Sequence, residues 1–401
     1  YDTDPDDKRK QALSLSKTRG FSFQRREEKH DMTDRKLMTR AIELAKKGTG
    51  RVDPNPLVGA VIVKDGSIIA EGYHRAYGEL HAERAALAAL ERSGGRAEGC
   101  DIYVTLEPCC HHGKQPPCTD AIIESGIRRV IVGSPDPNPL VAGKGIEILR
   151  KNGIEVIEDF MREECDSLNP VFFHYISTGR PYVVMKYAMT MDGKTAAYTG
   201  ESKWITGEEA RYRVHQDRNR YYGIMVGIGT VLRDDPLLNC RIPEGRHPVR
   251  IICDSSLRTP VDSQIVRTAD KYPTIIATCC KDEGRHSTYK DAGCKVITVP
   301  ETKDRHVDLV QLMDILGQEK IDSILLEGGS RLNWSALESG IVKKVQAYIA
   351  PKIFGGAGAP SPVGGQGVPS PDKAFRLSEP EISFTGQDIL LESEVLGCSQ
   401  E

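Results

Sequence analysis

The sequence predicts an α/β fold built from two consecutive domains. Helical and strand-like patterns alternate along most of the 401 residues, which is typical of layered α/β structures. The alternation is interrupted at the turn-forming stretch 177–181 and resumes at residue 182. A chain of this length can bury two separate cores. We therefore expect a first domain over residues 32–177 and a second over residues 178–397.

The first domain is predicted to open with a helix, because apolar residues recur at helical spacing from Arg35 to Lys47. A hairpin follows around Asp65-Gly66. The remaining elements alternate: a helix from His81, a strand at 101–106, a helix from Cys118, a strand at 129–133, a helix at 144–151 and a strand at 155–158.

The second domain shows the same alternation with more strands. Strands are predicted at 182–186, 224–226, 249–253, 274–277, 295–299, 323–326 and 345–349, with helices between them. After the strand at 323–326, a glycine pair leads into a helix near Ser330, an arrangement that can bind phosphate. Gly227 and Gly229 lack the third glycine of a dinucleotide fingerprint, so a Rossmann domain is not expected. Residues 355–371 read as a long loop, and the last residues are expected to fray.

The composition excludes several function classes. A formal net charge of −3 gives no large basic face of the kind that binds nucleic acid. No apolar run approaches the ~20 residues of a membrane span, and no secretory signal is visible. Eleven scattered cysteines indicate free thiols in a reducing cytoplasm. Residues 1–31 are charged and polar, and we interpret them as a disordered leader or an added segment before a natural start at Met32.

The most specific motif combines His81 and Glu83 with Cys109 and Cys118, each cysteine preceded by proline. One imidazole and two thiolates suit zinc, and three protein ligands leave the fourth position open for water, as in catalytic sites. Such a water becomes a nucleophile near neutral pH. Glu83 remains free to carry protons. His-x-Glu with a later cysteine pair is the signature of the zinc nucleobase deaminases.

The local context supports this interpretation, with one departure from the general pattern. His81 and Glu83 are expected in the exposed first turn of a helix, where both can lean toward one site. Cys118 opens another helix, and helix N-termini favour thiolate. The general pattern is Cys-x-x-Cys, whereas eight residues separate the cysteines here. An alternative is a closed, structural zinc knuckle that uses residues 110–112, but it would leave Glu83 without a role.

Longer runs resemble a known family, the bifunctional riboflavin-biosynthesis deaminase/reductases. In the first half these runs are Asn55–Gly59, Thr105–Cys118 and Asp136–Gly143, and in the second half Lys186–Thr195, Ser202–Thr206 and Gly229–Leu238. The similarity extends from about Met32 to near the C-terminus. It implies a cytidine-deaminase-like zinc domain followed by a dihydrofolate-reductase-like α/β domain that uses NADPH.

The resemblance also assigns residues. It makes His81, Cys109 and Cys118 the Zn²⁺ ligands and Glu83 the proton shuttle, and it leaves out Cys110, where the family often has a small polar residue. The residues expected to contact the nicotinamide cofactor are Ala188, Trp204, Thr230, Asp234, Ser255, Gly329 and Ser330. Those expected to hold the substrate are Ser202, Arg218, Leu238, Arg241 and Glu327.

Physical arguments support part of this assignment. The forked guanidinium donors of Arg218 and Arg241 fit a ribose phosphate, although a solvated surface charge is the commoner role of an arginine. For Trp204 the alternative is simply a core residue. The acid that protonates the new hydroxyl is open among Lys186, Asp192 and a bound water.

The hexapeptide Asp-Pro-Asn-Pro-Leu-Val occurs twice, at 53–58 and 136–141. Two proline-stiffened turns would explain the prolines. They would not explain Asn55 and Asn138, whose amides can read a pyrimidine edge. Leaning on the resemblance, we expect both asparagines to bind the substrate.

The sequence therefore favours a bifunctional enzyme of riboflavin synthesis. Its first domain would hydrolytically deaminate 2,5-diamino-6-(5-phosphoribosylamino)pyrimidin-4(3H)-one, and its second would reduce the ribosyl chain to ribityl with NADPH. The alternative is a zinc deaminase of another pyrimidine or of nucleic acid, fused to a reductase of a different pterin or pyrimidine. The expected partners are small pyrimidine ribotide phosphates and further copies of the chain, with no nucleic acid and no membrane.

Overall fold

The computed structural model describes residues 32–113 and 115–398, the last two by their backbone only. The predicted leader at 1–31 lies outside the described residues. The chain divides into two compact units between Asn169 and Pro170. This division precedes the expected boundary at 177/178, because a helix over Pro170–Thr178 packs on the first strand of the second unit.

The first unit is a five-stranded sheet with helices on both faces. In chain order its elements are α1 (32–45), β1 (Gly59–Lys64), β2 (Ser67–Tyr73), α2 (Ala82–Arg92), β3 (Asp101–Leu106), α3 (Cys118–Glu124), β4 (Arg129–Ser134), α4 (Lys144–Lys151), β5 (Glu155–Ile157) and α5 (Arg162–Asp166). The strand order is β2-β1-β3-β4-β5, with β3, β4 and β5 parallel. Since the carboxyl ends of parallel strands share one edge, the segments after β3 and β4 lie side by side.

Two cores lie on opposite faces of this sheet, because successive strand residues point to opposite sides. Ile102 and Val104 pack with α2, α3 and α4 on one face. Tyr103 and Ile131 pack with α1 and α5 on the other. Both faces are covered, so the strands read as nearly continuous apolar runs.

The second unit is a larger mixed sheet. Its elements are α6 (Pro170–Thr178), β6 (Tyr182–Thr190), α7 (Glu208–Arg220), β7 (Gly223–Gly227), α8 (Ile228–Asp234), β8 (Val249–Cys253), α9 (Gln264–Arg267), β9 (Thr274–Thr278), α10 (Glu283–Asp291), β10 (Lys295–Thr298), α11 (Leu309–Gln318), β11 (Ser323–Leu326), α12 (Ser330–Glu338), β12 (Val342–Ala350), β13 (Phe375–Leu377), β14 (Glu381–Thr385) and β15 (Asp388–Cys398). The strand order is β10-β9-β8-β7-β11-β6-β12-β15-β13, and β14 also pairs with β15.

The predicted elements of both units are present with small shifts at their ends. Residues 399–401, at the end of the chain that is expected to fray, lie outside the described residues, and β15 extends to Cys398, which pairs with Phe375 of β13. Ten free cysteines are found among the described side chains. Within residues 32–113 and 115–398, none of the helices combines the length and apolarity required to cross a bilayer.

Candidate active sites

Three soft donors converge in the first unit. The ligand atoms of His81, Cys109 and Cys118 all lie within 4.8 Å of one another. The Sγ atoms of Cys109 and Cys118 are 3.4 Å and 3.5 Å from His81 Nδ1. The pKa of Cys109 is lowered, chiefly because the Cys118 thiol hydrogen bonds to it. A nitrogen and two sulfurs in this arrangement are a donor set that zinc prefers.

Local structure places each donor at the end of an element. His81 is the N-cap of α2, and Cys118 is the first residue of α3. Cys109 follows the end of β3, and its backbone carbonyl accepts hydrogen bonds from the N–H groups of Cys118 and Thr119 at 3.0 Å and 3.2 Å. Arg84 in α2 donates to the carbonyl of Pro117 at 2.7 Å, which fixes α2 against the start of α3.

Glu83 lies in the first turn of α2 and is almost fully buried. Burial raises the pKa of its carboxyl group to about 7. The metal-ligating group found among the described residues has three members, and Cys110 is not one of them. The Cys110 thiol instead contacts the carbonyl of Leu140 at 3.6 Å. The geometry therefore favours an open site with an adjacent carboxylate over a closed knuckle.

Asn55 reaches this site through a histidine that the sequence did not single out. His74 is buried, and its Nδ1 lies 3.0 Å from the Leu80 carbonyl while its Nε2 lies 3.1 Å from Asn55 Nδ2. The Leu80 carbonyl can only accept, so Nδ1 carries the proton and Nε2 accepts from the Asn55 amide. The His74 ring stands edge-on to His81, with 5.3 Å between ring centroids. A lone histidine after β2 gives no sequence signal of this role.

Asn138 lies in the loop between β4 and α4. Its Oδ1 accepts a hydrogen bond from the Leu140 N–H at 3.0 Å, and its own N–H donates to the Asp136 carboxylate at 2.8 Å. The side-chain carbonyl therefore shapes the loop, and the amide NH₂ remains for other contacts. Burial raises the pKa of Asp136 to about 6.

In the second unit, two predicted cofactor segments meet at the carboxyl ends of neighbouring strands. β7 and β11 are parallel neighbours. α8 begins directly after β7, and α12 begins after β11 and the short turn at 327–329. The Gly329 N–H donates to Thr230 Oγ1 at 3.2 Å, which joins the two helix starts. Gly329 is the N-cap of α12 and Ser330 its first residue. The N–H groups in the first turn of a helix have no partner within the helix, so this helix start can bind an anion.

The other predicted cofactor residues lie in separate segments of the second unit. Ala188 lies in β6, and Ser255 follows β8, where its hydroxyl accepts from the Val307 N–H at 3.1 Å. Asp234 is exposed at the end of α8. Trp204 is 60% exposed, with the Arg211 guanidinium 4.7 Å from its ring centroid. The alternative that Trp204 is a core residue is therefore wrong.

Two of the predicted substrate residues, Arg218 and Glu327, form a half-buried ion cluster with Lys186. Arg218 donates from Nε and Nη2 to the two oxygens of Glu327 at 2.8 Å and 2.9 Å, and from Nη1 to the Asn239 carbonyl at 3.1 Å. Lys186 Nζ lies 4.0 Å from the same carboxylate. Burial lowers the pKa of Lys186, and the neighbouring Arg218 and Lys186 cations hold the pKa of Glu327 at about 2 despite burial. Each of the three guanidinium nitrogens of Arg218 thus already donates a hydrogen bond to a protein group.

Arg241 differs from Arg218 in being exposed. Its Nε donates to His215 Nε2 at 3.1 Å, and the described contacts leave its two terminal nitrogens for a ligand. Leu238 is buried with a φ of 50°, a left-handed conformation uncommon for leucine. Ser202 is half-buried ahead of Trp204.

Asp192 is committed to backbone structure. Its carboxylate accepts hydrogen bonds from Thr190 Oγ1 and from the N–H groups of Phe354 and Gly355. These bonds lower its pKa to about 2. A carboxyl group in this state is a poor proton donor at neutral pH.

Comparison with known proteins matches both units. Residues 181–391 match the family model of the RibD C-terminal domain, and residues 31–134 match the zinc-binding region of cytidine and deoxycytidylate deaminases. Riboflavin biosynthesis protein RibD of Actinobacillus pleuropneumoniae is 55% identical over 365 residues, covering 91% of this chain and 96% of that protein. RibD of Escherichia coli is 41% identical over 337 residues, covering 81% of this chain and 89% of its own.

A solved structure extends the similarity to the fold. The diaminohydroxyphosphoribosylaminopyrimidine deaminase/5-amino-6-(5-phosphoribosylamino)uracil reductase of Thermotoga maritima has a TM-score of 0.79 and 39% sequence identity. The match covers 91% of this chain and 99% of that chain.

Proposed function

The chain belongs to the RibD family of bifunctional riboflavin-biosynthesis deaminase/reductases, and on this premise we propose the substrate and the residue roles of its two sites. The first unit deaminates 2,5-diamino-6-(5-phosphoribosylamino)pyrimidin-4(3H)-one. The second reduces the ribosyl chain of the deaminated product to a ribityl chain. Family membership favours these ribotides over another pyrimidine, a pterin or a nucleic acid.

The observation that carries the first assignment is the three-donor group beside a buried carboxylate. His81, Cys109 and Cys118 would hold Zn²⁺, which when bound polarises water for attack on the ring carbon. The donor set fits this ion because it is soft, converges on one point and includes no fourth side chain among the described residues. Glu83 is buried next to the donors without being one of them.

Glu83 then carries the protons of the reaction. Its carboxylate takes a proton from the attacking water and delivers it to the amino nitrogen, which leaves as ammonia. Burial suits this exchange because it brings the pKa of the carboxyl group toward the working pH. Asn55 and Asn138 contribute amide groups that can bind the pyrimidine edge, and neutral His74 orients the Asn55 amide.

The second unit would bind NADPH at the edge formed by α8 and α12. The N–H groups at the start of α12 and the Thr230 segment fit its phosphates, with Ala188, Trp204, Asp234 and Ser255 around them. The cofactor supplies hydride, and the protein orients the reacting carbon against it. The preference for NADPH over NADH is tested by comparing kcat/KM for the two cofactors.

Lys186 is the better of the two side chains considered as the acid that protonates the new hydroxyl. It is a half-buried ammonium group 4.0 Å from Glu327, and its lowered pKa eases proton release. Asp192 is deprotonated and bound to backbone N–H groups. The guanidinium group of Arg218 is already paired with Glu327. Arg241 therefore binds the ribose phosphate, because it is exposed and only its Nε is engaged, by His215.

Two variants test the assignment of one activity to each unit. Glu83→Ala should abolish ammonia release and leave NADPH-dependent reduction of the pre-deaminated product unchanged. Lys186→Met should give the opposite result: ammonia release at the wild-type rate and reduction slowed at least ~100-fold, the usual size of a general-acid contribution. Loss of both activities in a folded, zinc-loaded Glu83→Ala protein would overturn the assignment.

Two further expectations concern assembly and location. We propose a homo-oligomer, because the C-terminal strands expose Ile382, Phe384 and Leu396 at 61%, 72% and 65%, and apolar patches of this kind commonly mark interfaces. Analytical ultracentrifugation of the wild type and of Phe384→Glu tests this proposal. A reducing, cytoplasmic location is supported by the free cysteines.

A further inference from the structure

Glu107, two residues before the metal ligand Cys109, has an unusual set of hydrogen bonds. Its buried carboxylate accepts four backbone N–H groups, two from the connection between β4 and α4 and two from the first turn of α4. Oε2 accepts from Asp136 at 3.3 Å and Gly143 at 3.0 Å. Oε1 accepts from Gly145 at 3.0 Å and Ile146 at 3.4 Å. One side chain therefore holds both ends of this loop.

The arrangement requires a carboxylate of this length. Each oxygen faces two N–H donors, so a glutamine would turn its NH₂ group against two of them whichever way the amide is flipped. Aspartate is one methylene shorter and would leave part of the set unpaired. Buried N–H groups that lose their acceptors destabilise the arrangement that holds them.

Close packing reinforces the hydrogen bonds. A Cβ atom added at Gly145 would lie 2.3 Å from the Pro108 carbonyl oxygen and 3.1 Å from Glu107 Oε1. The start of α4 thus rests directly on the Glu107-Pro108 segment. The loop held in this way contains Asn138, whose backbone is further shaped by Asp136 and whose Oδ1 binds Leu140.

The segment that carries the metal ligand Cys109 is held in place by backbone hydrogen bonds. The Glu107 N–H donates to the Ser134 carbonyl at 2.9 Å, and the Cys109 carbonyl accepts from the N–H groups of Cys118 and Thr119. None of these bonds involves the Glu107 carboxylate. Removing that carboxylate should therefore release the 136–146 loop more than it disturbs the donor group.

We infer that Glu107 is a positioning residue of the deaminase site, whose carboxylate fixes the 136–146 loop so that Asn138 meets the pyrimidine. The inference rests on the proposed deaminase function. It assigns to the glutamate between β3 and Cys109 a part in substrate binding, separate from metal binding and from proton transfer. Loss of the carboxylate should weaken pyrimidine binding while zinc remains bound.

The test is Glu107→Gln, with Glu124→Gln as the matched control at an exposed glutamate that ends α3. Ammonia release from the diaminopyrimidine ribotide, zinc content by mass spectrometry and reduction of the deaminated product are measured on each protein. For Glu107→Gln we expect KM to rise at least tenfold, a smaller fall in kcat, zinc content equal to that of the wild type and unchanged reduction. Glu124→Gln should match the wild type throughout.

A wild-type KM in zinc-loaded Glu107→Gln overturns the inference, and so does activity that falls only in proportion to lost zinc. If Glu107→Gln does not fold, Gly145→Ala displaces the loop while keeping the carboxylate; a raised KM supports the inference and an unchanged KM overturns it. Absence of ammonia release from the wild type would instead overturn the deaminase assignment itself.

Discussion

Arg250, a residue with no exposed surface, donates a hydrogen bond from Nη1 to the backbone carbonyl of Leu237 at 3.2 Å. Leu237 precedes Leu238, which has a left-handed backbone conformation in the predicted substrate loop. The same guanidinium donates to the carbonyls of Ile265 and Tyr272. A single buried cation therefore ties this loop to the chain around α9.

Arg250→Lys should destabilise the second unit by about 2–4 kcal/mol, because an ammonium group cannot reach these separate acceptors and leaves several unpaired. The urea midpoint for loss of reductase activity reports this change. Arg267→Lys, at an exposed arginine that ends α9, should leave the midpoint within error. Equal midpoints for the two variants would contradict the role given to Arg250.

Adjacent cysteines should differ sharply in metal binding. Cys109→Ser is expected to lower bound zinc from one ion per chain toward zero, because two protein donors remain. Cys110→Ser should keep the full ion, since the Cys110 sulfur contacts the Leu140 carbonyl and not the donor group. Zinc analysis after dialysis against a weak chelator separates the two. Loss of zinc from Cys110→Ser would place its sulfur among the ligands.

Asp217 in α7 should make the second unit less stable as pH rises. Burial raises the pKa of this carboxyl group to about 6 from its ordinary value of 3.8. The pKa of this carboxyl group is higher in the folded protein than in the unfolded chain. Its contribution to stability is therefore fully present below the pKa of the unfolded chain, and it is lost as pH rises through the pKa of the folded protein. Above about pH 6 the full cost, on the order of 2–3 kcal/mol, is present.

Asp217→Asn removes this titration. The free energy of unfolding of the variant, relative to wild type, should therefore increase between about pH 4 and 6 and stay constant above that range. Urea unfolding at several pH values measures the difference. A difference that does not change with pH would show that the carboxyl group titrates normally.

Replacing Gly317 by alanine should destabilise the protein, although the same replacement in a helix usually stabilises it. Replacing a helical glycine by alanine ordinarily stabilises by roughly 0.5–1 kcal/mol. At Gly317 in α11 the new Cβ would lie 1.8 Å from the Gly179 carbonyl oxygen, so Gly317→Ala should destabilise by more than about 2 kcal/mol. At Gly229 in α8 nothing lies within 4 Å, and Gly229→Ala should stabilise. Thermal unfolding of the pair tests the opposite signs.

Sequence patterns predicted the elements where hydrophobic period and strand-forming residues agree. β3 and β8 have the predicted bounds, and α3 begins at Cys118. The C-terminal strands were missed because β14 and β15 are only partly covered. Ile382 and Phe384 alternate with polar residues in a short run, and such runs are weak signals without their pairing partners.

The site divides in the same way. The types and spacing of His81, Glu83, Cys109 and Cys118 predicted a metal centre, because few chemistries need that set. His74 and Glu107 gave no signal, since a lone histidine and a lone glutamate have many ordinary roles. Their importance comes from partners far along the chain, up to 39 residues away for Glu107.

By itself the sequence determined the donor set, the alternation of elements and the family, because these depend on residue identity and local order. The tertiary structure decided which polar side chains are already engaged by other protein groups and which are available to a ligand. It bound Arg218 to Glu327, committed Asp192 to backbone N–H groups and placed the loop of Asn138 on Glu107. Hydrogen bonds across long loops depend on where strands end relative to one another, and that registry exists only once the sheets have formed.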